Sequence, residues 1–243
     1  MKCLLLALTG MGNAVLERCL AHELVDETLV VTRAETGPFP YYPCENLTAA
    51  CERLGVRALT GADLRAAETL ATLRDFGPDI IVSATFHQIV AEPVLSLAPL
   101  GIFNFHPSLL PAYKGPMPTN WAILHGESRS GLTVHEMTSG LDEGRVVLQR
   151  AVDIRGDCDG ELRRRLDGTA AQLADELFRL AASGGLVFRQ QQGPGSYHPR
   201  VLSDEGLRRI ARGDFALDDI RRAVTPWPGM AALAARIPGL PAA

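Results

Sequence analysis

Three short apolar runs, with residues at helical spacing between them, dictate most of what this chain can fold into. Cys3 to Leu8, Leu29 to Thr32 and Asp79 to Ala84 show no alternation of polar and apolar side chains. A strand of this kind offers no face to water, so it belongs inside a sheet covered on both sides. Helical stretches lie between them, at Asn13 to Leu24 after the first run and at Glu45 to Leu54 and Ala62 to Phe76 after the second. Between the second strand and its helix lies Gly37 to Pro43, a loop because three prolines leave little room for a ladder. Further strands are expected at Gly101 to Phe105, Gly131 to Met137 and Arg145 to Ile154, with a helix at Thr119 to His125. The longest helix, Glu161 to Ala182, carries Leu162, Leu166, Ala170, Leu173, Leu177 and Leu180 on one stripe, which reads as core-facing. Alternation through about residue 185 predicts an α/β fold with a mostly parallel, twisted sheet.

The character changes beyond that point. Gln190 to Ser196 reads as a linker, Asp204 to Val224 as charged helix, and Thr225 to Ala243 as a tail rich in proline and alanine. The expected division is a main domain over residues 1–189, then a linker and short C-terminal subdomain over 190–243. A net charge of −4 over 243 residues argues against a broad electrostatic footprint for nucleic acid. The opening apolar run is too short to cross a bilayer and leads straight into a glycine turn, so neither a signal peptide nor a membrane span is expected. The five cysteines show no Cys-x-x-Cys spacing, which suggests reduced thiols, a cytoplasmic protein and no metal site.

Two segments carry chemistry. In Gly101 to Pro111, a strand ends with Asn104 and His106 on one face, since side chains two apart share a side. The prolines that follow, Pro107 and Pro111, bracket a loop at the strand's carboxyl end, where open α/β sheets place their ligands. Further on, the strand Gly131 to His135 leads into Ser139 to Gly144, a glycine-flanked acidic loop that holds Asp142. Acylation of an amine needs such groups. A neutral amide such as Asn104 can donate to a developing oxyanion. An imidazole such as His106 can take and return a proton near neutrality. A carboxylate such as Asp142 would hold the imidazole's tautomer and favour its charged form. A third feature, Thr9 to Asn13, is a strand-to-helix turn that is either simply tight or a seat for an acceptor's phosphate or carboxylate through Gly10, Gly12 and Asn13. It lacks the full dinucleotide fingerprint, because position 15 is Val15.

Taken together, Asn-x-His-Pro-Ser-Leu-Leu-Pro at Asn104 to Pro111, Gly-x-Thr-x-His at Gly131 to His135 and Gly-Leu-Asp-x-Gly at Gly140 to Gly144 closely resemble the formyltransferases that use N10-formyltetrahydrofolate. The resemblance implies a Rossmann-like formyltransferase fold with a short C-terminal extension. It implies Asn104, His106 and Asp142 as the catalytic set and N10-formyltetrahydrofolate as the formyl donor, with no metal. The folate's pterin would sit against Phe86, His87, Gln88, Ile89 and Val90, with Ser139, Gly140 and Leu141 at its ring edge and Leu109, Leu110 and Pro111 as another wall. Plain packing is the alternative for Ile89 and Val90, and an exposed loop position for Gln88. Relatives often carry arginine where this chain has Gln88, so no charge contact to the folate is expected there. His135 shares a strand face with Thr133 and would either position the acceptor amine or make a structural hydrogen bond.

The expected partner is a small-molecule amine, an amino sugar on a nucleotide or an amino acid-like metabolite. Glycinamide ribonucleotide and methionyl-tRNA are the alternatives, as are hydrolysis of the donor and a non-catalytic folate-binding module. Ser196 to Gly229 resembles the linker that precedes the carboxyl-terminal barrel of the transfer-RNA enzymes, or its counterpart in the sugar enzymes. The chain is short for that barrel, so nucleic acid is not an expected partner; a homodimer is an allowed assembly.

Overall fold

The computed structural model describes residues 1–35, 37–213, 215–226, 229–237 and 240, with only the backbone described at 229 and 230. Trp227 and Pro228, part of the linker-like stretch, lie outside the described residues, as do 238–239 and 241–243 of the proline- and alanine-rich tail. The strands are β1 (Lys2–Ala7), β2 (Glu27–Thr32), β3 (Ala58–Thr60), β4 (Ile80–Ala84), β5 (Ile102–His106), β6 (Arg129–Glu136) and β7 (Val146–Asp153). The helices are α1 (Met11–Ala21), α2 (Leu47–Leu54), α3 (Ala67–Phe76), α4 (Pro118–Leu124), α5 (Asp159–Ser183), α6 (Asp204–Arg212), α7 (Leu217–Ala223) and α8 (Gly229–Ala234). Among the described residues, no helix is long and apolar enough to cross a membrane.

The strands form one seven-stranded sheet in the order β3-β2-β1-β4-β5-β6-β7. The first five are parallel, and β6 and β7 add to them antiparallel. Both faces of β1 are apolar, as its sequence requires. Cys3, Leu5 and Ala7 pack with Val15, Leu16 and Cys19 of α1 and with α5, while Leu4 and Leu6 pack with Leu73 and Phe76 of α3. Along α5, Leu162, Leu166, Ala170, Leu173 and Leu177 are buried as the spacing predicts, and each large side chain contributes about 1.5–3 kcal/mol. Leu180, one turn from the helix end, is only half-buried.

Some elements differ from expectation for local reasons. β3 is only three residues long, too short to show a period. The expected helix from Ala62 starts later, at Ala67, because Asp63 caps a turn by accepting from Arg65 N at 2.9 Å. The expected helix Asp204 to Val224 divides into α6 and α7, where Gly213 leaves helical backbone. The C-terminal segment shares the main core. Val201, Leu207, Ile210, Ile220 and Ala223 join the cluster that holds Trp121 of α4. Trp121 Nε1 donates to Pro199 O at 2.7 Å, and Asn120 Nδ2 donates to Ala223 O at 2.6 Å.

Candidate active site

β5 delivers Asn104 and His106 at its carboxyl end, and antiparallel pairing with β6 sets His135 opposite Asn104 and Thr133 opposite His106. After β6, the chain turns through residues 137–145 and brings back Asp142, held in the left-handed region at φ 52°. The outcome is one cluster. Asp142 Oδ1 lies 3.6 Å from His106 Nδ1 and 3.6 Å from His135 Nε2, and Asn104 Nδ2 lies 3.1 Å from His135 Nε2.

Hydrogen bonding fixes much of the protonation pattern. A carbonyl oxygen only accepts, so the 2.8 Å contact between His106 Nε2 and Tyr113 O places the proton on Nε2. His106 Nδ1 is then the basic atom, and it faces Asp142. By the same logic His135 Nδ1 donates to Glu136 O at 2.9 Å, which leaves Nε2 to accept from the Asn104 amide. The orientation of Asn104 is thereby set, with a second N–H on Nδ2 to offer elsewhere. Asp142 Oδ2 accepts from Gly115 N at 2.9 Å. Gln191 Nε2 clamps the acidic loop, donating to Asp142 O at 2.7 Å and Gly144 O at 2.9 Å.

His106 is 4% exposed, and burial lowers its pKa below the usual histidine value, against the opposing pull of Asp142 and Tyr113 O. Burial pushes Asp142 up, but the neighbouring His135 and His106 rings and the Gly115 N–H together hold it below the usual carboxylate range. Near neutrality the pair is therefore a carboxylate beside a neutral imidazole, the arrangement a general base requires.

A cleft of about 440 Å³ lies between the segment after β4 and the loop after β6, lined by Ile89, Val90, Glu92, Leu95, Met137 and Ser139; none of the four cluster residues lines it, but Ser139 stands in the same loop as Asp142. The sequence names Ile89, Val90 and Ser139 as pterin contacts; Leu95 and Met137 are new. Val90 is buried while Ile89 is 77% exposed, so Ile89 is not core. Phe86 and His87 meet edge to face at 4.9 Å, and Leu141 is 60% exposed at the rim. Gly140 is packed by the Glu143 side chain. Leu109, Leu110 and Pro111 do not line this cleft. Leu109 packs on Gly131, Leu110 N donates to Thr133 Oγ1 at 3.2 Å, and Pro111 O accepts from Ser196 N at 3.1 Å. Gln88 is a staple rather than a free loop residue. It accepts from Leu64 N at 3.0 Å and donates to Ala62 O at 2.7 Å, and arginine could supply no acceptor for the first bond.

The Gly10 turn is occupied by the chain itself. Gly10 N donates to Asn13 Oδ1, Gly12 N to Leu8 O and Asn13 N to Gly10 O. Thr9 is bonded to the Glu35 carboxylate, and Phe39 and Tyr42 cover Gly10. An acceptor's phosphate here would have to displace Asn13 and face Glu35. Sequence reasoning missed Tyr113, Gly115 and Gln191. The first two act through backbone atoms, which leave no side-chain signal, and the third lies in a stretch that reads as linker.

Near the cluster, His198 stacks on Tyr113 at 5.1 Å and lies tilted against Trp121 at 5.0 Å, and its Nδ1 is buried with no partner among the described residues. Burial, then the charges of His125 and Arg209, push its pKa down to about 4. The unfolded ring titrates near about 6.5, so below that pH the unfolded chain binds a proton that the folded chain refuses. This contribution to stability is intact above about pH 6.5 and is lost as pH falls towards the folded value. Discounted for partial exposure, it amounts to roughly 1–2 kcal/mol. Urea denaturation should therefore show stability falling between pH 7 and pH 5, and His198→Phe should flatten that slope. An unchanged slope in the variant would remove His198 as its source.

Comparisons with known proteins bear on the family and the fold. A family model described as formyl transferase matches residues 15–174. The methionyl-tRNA formyltransferase of Geobacter metallireducens is 33% identical over 180 residues, covering 73% of this chain and 58% of that protein. The enzyme of the same name from Anaeromyxobacter sp. is 38% identical over 178 residues, 72% of this chain and 57% of the relative. The chain thus spans a little under three fifths of the length of these relatives. Glycinamide ribonucleotide transformylase 1 of Symbiobacterium toebii superposes with a TM-score of 0.62 at 29% identity, covering 79% of this chain and 93% of that one. The N-formyltransferase of Helicobacter canadensis, solved with folinic acid and dTDP-3-aminofucose, shares the fold with a TM-score of 0.68 at 19% identity, covering 91% and 79%. With a matching model over most of the chain and relatives above 30% identity, the α/β chain described here belongs to the formyl transferase family.

Proposed function

We propose that this protein transfers a formyl group from N10-formyltetrahydrofolate to a primary amine, with Asn104, His106 and Asp142 as the reacting groups. The observation that carries this reading is the convergence of Asn104, His106 Nδ1 and Asp142 Oδ1 at the carboxyl end of β5, with the 440 Å³ cleft opening on the loop that holds Asp142. The cleft fits a flat, partly apolar ring, with Val90, Leu95 and Met137 as walls and Ser139 at the edge. Bound there, the folate supplies a formyl carbon as electrophile. His106 Nδ1 takes the proton that the amine must lose on forming its new C–N bond, and returns it to the departing folate nitrogen. Asp142 stabilises the imidazolium meanwhile. Asn104 gives its free N–H to the formyl oxygen as negative charge develops there, in a site that excludes most water. Residues 1–189 supply all three groups; residues 190–243 support them.

A small amine is the acceptor we favour, because the net charge of −4 suits a small molecule better than a polyanion. Methionyl-tRNA is the second reading, supported by the names of the sequence relatives. Incubating the protein with the formyl donor and following tetrahydrofolate release decides between them. The expected result is release that depends on an amino sugar nucleotide or another small amine. Release only with methionyl-tRNA would install the second reading. Formate production without any amine would indicate a hydrolase, and no turnover with any acceptor would sink formyl transfer altogether.

A further inference from the structure

Residues 113–115 touch His106 and Asp142, and they do so through their backbone. Tyr113 O accepts from His106 Nε2 at 2.8 Å, and Gly115 N donates to Asp142 Oδ2 at 2.9 Å. This strap is not part of a helix or of the main sheet. Its conformation is also unfavourable alone at Tyr113, which has φ 60°. A non-glycine residue in the left-handed region stays there only when its surroundings hold it.

Those surroundings come from about eighty residues further along the chain. Tyr113 N donates to Ser196 Oγ at 2.9 Å, and Lys114 N to Ser196 O at 2.8 Å. His198 N donates to Lys114 O at 2.9 Å, and Ser196 N to Pro111 O at 3.1 Å. The Tyr113 ring lies on the His198 ring with 22° between their planes. Gly115 passes so close to the His198 carbonyl that a Cβ would collide with it.

We propose that Ser196 to His198 is a positioning element, which fixes the tautomer of His106 and the orientation of Asp142 through the strap Tyr113 to Gly115. The proposal rests on the assignment of His106 and Asp142 as reacting groups. Its geometry can be tested without any acceptor. If Tyr113 N loses the Ser196 hydroxyl, the strap is freer to rotate, and Tyr113 O no longer holds the proton on His106 Nε2. The bond lost is one that favours the charged ring, so the His106 titration should move to lower pH. The other groups facing His106 are the Asp142 carboxylate and His135. Neither of their side chains touches Ser196.

The experiment is imidazole 15N NMR on the full chain, which has six histidines, with the His106 signals assigned from a His106→Gln variant. In the unaltered protein His106 should appear protonated at Nε2 and bare at Nδ1. Ser196→Ala should give mixed tautomers and a titration lowered by about half a pH unit or more. Ser196→Thr, which keeps the hydroxyl, should restore both signals. His198→Leu, which removes the stacked ring but not the serine, should shift His106 the same way by less, and covers the case in which Ser196→Ala does not fold. His106 signals unchanged in the folded Ser196→Ala or His198→Leu protein would overturn the proposal. A tautomer that responds in a chain unable to transfer formyl groups would leave the positioning intact and remove only the proposed reaction.

Discussion

Replacing His106 with alanine is expected to lower kcat for formyl transfer by about a hundredfold or more, with little change in folate affinity. The imidazole is the one group in the cluster with a basic atom available near neutrality. Its Nε2 proton is committed to Tyr113 O, and its Nδ1 faces Asp142 across 3.6 Å. No neighbour can take over: His135 Nε2 already accepts from Asn104, and Asp142, held below the usual range, is too weak a base. Asp142→Asn should cost nearly as much. The amide can still accept from Gly115 N, but it offers no charge to an imidazolium at His106. Both variants should fold, and thermal melts would verify it. The pH profile adds a sign: because burial holds the His106 pKa below its usual value, kcat/KM should keep its plateau below about pH 6.5 and fall only at more acid pH. Turnover near the unaltered level in either variant would remove that residue from the chemistry.

The layout of the fold was legible because its strands are apolar on both faces. Cys3 to Leu8 and Asp79 to Ala84 could serve only as central strands, and they lie side by side as β1 and β4. Helix boundaries were less legible, because a cap such as Asp63 acts through geometry that apolar spacing does not record. The order of strands was not written in any one segment. That β6 runs antiparallel beside β5, and so sets His135 against Asn104, follows from a pairing between residues about thirty apart.

At the site, legibility followed the kind of atom involved. Asn104, His106 and Asp142 could be named because side-chain chemistry is written in residue identity. Tyr113 O and Gly115 N were invisible, since every residue has a carbonyl and nearly all have an N–H. Gln191 was misread for a related reason. A polar residue in a Gln-, Gly- and Pro-rich stretch resembles a solvated linker until its amide is seen clamping Asp142 O and Gly144 O. The Gly10 turn shows the converse. Its spacing suits an anion, but its own Asn13 folds back onto Gly10 N, and Glu35 and the aromatic loop further along the chain close over the rest.

Gly144 is where the fold and the chemistry meet most tightly, and Gly144→Ala is expected to disable the protein without removing any functional group. A Cβ at this position would be built into the Glu136 carbonyl and would lie 3.3 Å from His135 Nδ1. That carbonyl is the acceptor for His135 Nδ1–H, and the backbone here is pinned by the bond from Glu136 N to Arg145 O. Neither side of the collision is a flexible side chain that could swing away, so the acidic loop must lift. Asp142, two residues earlier and at φ 52°, moves with it. A misplacement of about 1 Å in a positioned group can cost on the order of a hundredfold in rate. The overpacking itself should destabilise the fold by roughly 1–3 kcal/mol. Gly168→Ala supplies the contrast: that residue is exposed in the middle of α5 with nothing near its Cβ, so alanine should stabilise the helix by about 0.5–1 kcal/mol. Measuring kcat/KM and urea midpoints for both variants checks the argument. A Gly144→Ala protein that is fully active would mean that the Asp142 loop tolerates displacement, and that the carboxylate's distance from His106 does not govern the reaction.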